Sequence, residues 1–74
     1  MAIQVRLELG ENGIHLTQIP NEFDAQSVRN FFDELGVEAS MAGDPRDDSF
    51  RVSLPGLSLE QLIKLTAQSN LKLT

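Results

Sequence analysis

Residues 3–16 read Ile-Gln-Val-Arg-Leu-Glu-Leu-Gly-Glu-Asn-Gly-Ile-His-Leu, and this stretch decides the fold. Ile3, Val5, Leu7 and Leu9 alternate with Gln4, Arg6 and Glu8, the period of two expected of a strand buried on one face. Gly10-Glu11-Asn12-Gly13 follows, and an Asn-Gly pair supplies the positive φ that a tight hairpin needs. Ile14 and Leu16 resume the alternation, until Pro20, which has no N–H to give to a ladder, ends the strand. A strand at residues 2–9 is therefore expected to hairpin onto a second.

Working outward, the next segment carries a helix start. Asp24 is the expected N-cap, with Phe23 and Val28 at the two positions of a hydrophobic staple. Ala25, Val28, Phe31, Phe32 and Leu35 fall on one helical stripe of about 120°, and Gly36 stands where a left-handed stop is wanted. Val37, Ala39 and Met41 alternate as a third strand. Gly43-Asp44-Pro45-Arg46-Asp47-Asp48 is a polar turn, and Phe50, Val52 and Leu54 return before Pro55-Gly56. A second helix follows with the same punctuation: Ser58 as cap, Gln61 completing a capping box, Leu57 and Leu62 as staple, and Asn70 as a left-handed stop. Leu71 and Leu73 begin a last strand.

The two helical segments superpose with an offset of about 34 residues, Phe23 on Leu57 and Gly36 on Asn70. Few of the superposed residues are identical, so shared punctuation explains the match better than a duplication. From residue 13 the order is strand, helix, strand, strand, helix, strand. The fold class expected is α+β with the order ββαββαβ. It is a ferredoxin-like split βαβ with an extra N-terminal edge strand, two helices on one face of a mainly antiparallel sheet. A plain ββα repeat follows instead if the short last strand stays unpaired.

Seventy-four residues fit a single domain, 1–74. A hydrophobic fraction of 41% is enough for a core, and with no cysteine that core is held without disulfides or thiolate metal sites. Met1 to Arg6 does not read as a secretory leader, and no apolar run approaches the roughly 20 residues of a membrane span, so a cytoplasmic location is the default expectation. The net charge of −5 is unevenly placed. Residues 8–48 hold ten acids against Arg29 and Arg46, which disfavours direct binding to a nucleic-acid backbone.

No residue set reads as catalytic. His15 is the lone histidine and lies on the face opposite the apolar set, where a surface role fits it best. Asp44, Asp47 and Asp48 share a turn with Arg46, in a spacing that matches no calcium loop. No phosphate-binding glycine loop is present, and the glycine-rich, arginine-bearing loop of acylphosphatases is missing after the first strand. There is no Tyr and no Trp for stacking bases, and all four Phe are accounted for by packing. Neither a cofactor nor a metal is expected.

The second helix is more apolar than the first, its stripe spanning about 160° with Ile63 and Leu65 at opposite edges. The function expected is therefore a non-enzymatic protein-interaction module, adaptor or regulatory, as a whole protein or as the N-terminal domain of a longer effector. Asp44, Arg46, Asp47, Asp48, Ile63 and Leu65 are its candidate partner-binding residues. The alternative is a stand-alone acidic inhibitor, such as a phage anti-defence or immunity protein, mimicking nucleic acid. The partner expected is another protein, with no nucleic acid and no membrane. A homodimer through the unpaired side of the 2–9 strand is compatible with either reading.

Overall fold

The computed structural model describes residues 3–74, so Ala2, expected in the first strand, lies outside the described residues. The elements are β1 (Ile3–Gly10), β2 (Gly13–Ile19), α1 (Glu22–Glu34), β3 (Ser40–Gly43), β4 (Phe50–Leu54), α2 (Leu59–Thr66) and β5 (Leu71–Leu73). They build a five-stranded sheet in the order β3-β4-β2-β1-β5. Three of its pairings are antiparallel, and β1 with β5 is parallel.

The α+β class and the element order are as the sequence implies, but β1 is not an edge strand. It lies between β2 and β5, pairing Leu7 with Leu16 on one side and Ile3 with Leu71 on the other. A strand has two ladder sides. β4 takes one side of β2, and the hairpin at Gly10–Gly13 sets β1 on the other, at a lower loop-closure cost than a distant segment would carry. β5 is left with the outer side of β1. The side of the first strand expected to be open for dimerisation is thus occupied over residues 3–7, by the β5 ladder and by the Leu7 N–H donating to the Thr74 carbonyl at 3.2 Å.

The hairpin uses its second glycine. Positive φ falls on Gly13 (127°) and not on Asn12. A Cβ on Gly13 would lie 2.9 Å from the Pro55 Cα and 3.0 Å from the Leu54 carbonyl oxygen, so the end of β4 needs a glycine there twice over. Further along β2 a bulge intervenes: Thr17 and Gln18 together oppose Arg51, with Gln18 at φ 60°. The bulge advances the pleat by one residue, which is how Leu16 and Ile19, three apart, are both buried.

Helix α2 starts as its sequence predicts. Ser58 Oγ accepts from the Gln61 N–H at 3.2 Å, the Gln61 side chain accepts from the Ser58 N–H at 3.2 Å, and Leu57 and Leu62 are buried. Asn70 does not take a left-handed conformation; this helix ends on Ala67 in ordinary helical geometry. In α1 the cap is Asn21, three residues before the expected Asp24. Its Oδ1 accepts from the Asp24 N–H at 2.8 Å, while its amide donates to the Asp24 carboxylate at 3.2 Å. Capping at Asn21 gains nearly a turn of helix and puts Glu22 and Asp24 at the positive end of the helix dipole. Gly36 (φ 76°) stops α1 as expected. Its N–H donates to the Asp33 carbonyl and that of Val37 to the Phe32 carbonyl, which holds Val37 out of the strand, so β3 begins only at Ser40.

Val5, Ile14, Leu16, Ile19, Val52, Leu54 and Leu71 of the sheet share one core with Ala25, Val28 and Phe32 of α1 and with Leu57 and Leu62 at α2. The other face of the sheet carries Gln4, Arg6, Glu8, His15, Thr17, Arg51, Ser53 and Lys72, the alternate residues of the same strands. No helix among the described residues is long and apolar enough to cross a membrane.

Candidate functional site

Two surfaces merit a functional reading, one polar and one apolar. The polar one is the β3–β4 turn singled out in the sequence. Asp44 closes the turn by donating its N–H to the Ser49 carbonyl at 2.9 Å. Its side chain is only 2% exposed and is gripped side-on by Arg46, Nε to Oδ1 at 3.0 Å and Nη2 to Oδ2 at 2.7 Å. The same guanidinium meets Glu8 of β1 end-on, Nη1 to Oε1 at 3.0 Å and Nη2 to Oε2 at 2.9 Å. Thr17 completes the set, its hydroxyl donating to Glu8 Oε2 at 2.6 Å.

Arg46 is thus a double fork that pins the turn across the polar face of the sheet, and Thr17 beneath is fully buried. Hydrogen bonds from Arg46 and then Thr17 hold the Glu8 carboxyl down at about 2, from an ordinary 4.5. Side-chain and backbone hydrogen bonds from Arg46 hold Asp44 at about 2, from 3.8. The two carboxylates in turn raise the pKa of Arg46.

Of the candidate residues, Asp44 and Arg46 therefore meet each other and Glu8, which the sequence reading did not join to them. Asp47 is exposed and its side chain bonds within the loop, accepting from the Ser49 N–H at 3.0 Å and from the Ser49 hydroxyl. Asp48 is exposed. Nearby, His15 Nδ1 and Ser53 Oγ share a hydrogen bond of 2.8 Å, and the imidazole lies over Gly10, where a Cβ would stand 2.8 Å from Nε2. No group of three or more His, Asp or Glu among the described residues is placed to hold a metal ion.

Ile63 and Leu65 separate. Ile63 is 54% exposed, while Leu65 packs against the core beside Val37 and Leu57. A second apolar surface lies elsewhere. A groove of about 390 Å³ runs between α1 and the starts of β1 and β5, walled by Ile3, Val28, Phe31 and Leu71 and rimmed by Asp24, Ser27 and Asn70. Phe23 stands at its mouth with 78% of its surface exposed.

Reading Asp24 as the cap made Phe23 a staple residue outside the helix. With Asn21 as the cap it is the second residue of α1, on the outward side of the first turn. The signal that would have found it is Asn21 itself, a cap-competent residue three before Asp24. The chain matches no protein-family model, no curated protein and no solved structure.

Proposed function

We propose that this domain is a non-enzymatic protein-interaction module that takes an apolar side chain of another protein into the groove between α1 and β5. The observation that carries this reading is Phe23. The other three phenylalanines are buried or half-buried, whereas Phe23 leaves most of its ring in water beside Val28 and Phe31, which already form an apolar wall. Covering one such ring stabilises a complex by about 1.5–3 kcal/mol, and phenylalanine is among the residues enriched in the cores of protein interfaces. Asp24, Ser27 and Asn70 supply a polar rim.

In this reading the sheet is a split βαβ arrangement into which β1 has been inserted, with both helices over its apolar face. The polar face works as a fastening. Glu8 and Asp44 are spent on Arg46, and among the described residues the Ser53–His15 pair has no third side chain bonded to it and lines neither the Phe23 groove nor the recess at Leu65. That supports binding over catalysis.

Selection of a random peptide library on the domain tests the reading, with Phe23→Ala as the counter-selection target. Retained peptides are expected to carry an apolar anchor, to shift the NMR signals of Ile3, Val28, Phe31 and Leu71, and to be lost on Phe23→Ala. Peptides that map to the His15–Ser53 face, or that the variant retains equally, would overturn it.

A further inference from the structure

Resting on the groove reading, we infer that the partner enters as an extended strand added to the outer edge of β5, with alternating apolar and acidic residues. The ladder fixes which backbone groups are open. Ile3 N–H donates to the Asn70 carbonyl at 2.8 Å, Thr74 N–H to the Val5 carbonyl at 3.0 Å, and Leu7 N–H to the Thr74 carbonyl at 3.2 Å. Residues 70, 72 and 74 therefore turn their main-chain groups toward β1, and by alternation Leu71 and Leu73 turn theirs outward. The outward Leu71 N–H already has the Ser69 hydroxyl at 3.1 Å. That leaves the Leu71 carbonyl and both main-chain groups of Leu73 as a short open rung. Open N–H and C=O groups in a row are a template for another extended backbone.

The rung is too short to hold a partner alone. Lys72 in its middle is the kind of residue that keeps a sheet edge from indiscriminate pairing. The groove supplies the missing affinity, because it opens beside Leu71, the first residue of the same strand. Side chains then set the alternation. A residue of the added strand on the face of Leu71 and Leu73 lies over the apolar side and anchors in the groove. Its neighbour lies on the face of Lys72. Lys72 and Arg6 are exposed there and form no ion pair among the described residues, the nearby Glu8 being bonded to Arg46. Acidic residues fit that face.

The probe is a synthetic peptide of about seven residues alternating valine and glutamate, a length that spans roughly 20 Å of sheet edge. It is titrated into the full chain while amide exchange is followed by NMR. The Leu73 amide is expected to exchange at least about tenfold more slowly on binding, with signal shifts at Leu71 and Phe23. Replacing glutamate by lysine in the peptide, or N-methylating the amides that face β5, is expected to weaken binding at least about fivefold.

Shifts confined to the groove, with Leu73 exchange unchanged, would overturn strand addition and leave the groove reading standing. A peptide that binds nowhere would also overturn it, with the library selection still deciding the groove. If Leu73 is protected without peptide, in proportion to protein concentration, the edge belongs to a second copy of the chain and the partner proposed here is wrong.

Discussion

On one face of the sheet Val5, Leu16, Val52 and Leu54 share a core with Phe32 and Leu62; on the other, Arg46 joins Asp44 to Glu8 above Thr17. Both faces fix the same strands, by different means. The first depends on area removed from water, which is non-directional and indifferent to pH and salt in the ordinary range. The second depends on four N–H···O bonds in two planar forks, which need one geometry and two ionised carboxylates. A chain with no cysteine thus adds a titratable fastening to a modest core.

The contrast is broken most severely from the apolar side. Phe32→Ala empties a fully buried site in that core and is expected to cost about 4 kcal/mol, close to the whole stability of many domains this size. Urea denaturation reads the loss, which should be the same at low and high salt. Next comes the joint that keeps the two faces in phase. Gln18→Val places a branched side chain at φ 60° in the bulge and is expected to cost about 2 kcal/mol. Gln18→Gly should stay within about 1 kcal/mol of the parent.

The polar face is sharpened by acid. Glu8 and Asp44 have pKa values depressed in the folded state, so their contribution is fully present above about pH 4.5 and is lost as pH falls toward 2. Arg46→Met removes that contribution at neutral pH. Denaturation midpoints of parent and variant should differ at pH 7 and converge by pH 2; a constant gap across that range would show that the forks do not act through charge. The smallest effect belongs to Phe23→Ala, within about 0.5 kcal/mol of the parent in the same denaturation assay, because the ring is mostly in water already. A Phe23→Ala loss as large as that of Phe32→Ala would mean that the ring packs in solution and offers no anchor.

The apolar face was legible because its rule is local. Alternation in Ile3–Leu9 and the box at Ser58–Gln61 are settled within a few residues of chain. The polar face was not, since Glu8 and Arg46 are 38 residues apart and nothing in either neighbourhood names the other. The place of β1 was half legible. The hairpin was plain, but its consequence, that β2 then has no side left for β5, emerges only when the ladder sides are counted. Phe23 was misassigned for a local reason of another kind, two rival caps three residues apart, decided by the extra turn that Asn21 allows.

The insertion of β1 beside β5 has a mechanical side. β1 begins at one end of the sheet, β5 finishes at the other, and the two lie parallel. Tension applied through residues 3 and 74 would drag these strands past each other lengthwise. The bonds Ile3–Asn70, Val5–Thr74 and Leu7–Thr74 would bear that load together instead of parting one at a time. Force entering at these two residues would therefore meet a shear joint made of the pair of strands farthest apart among those described.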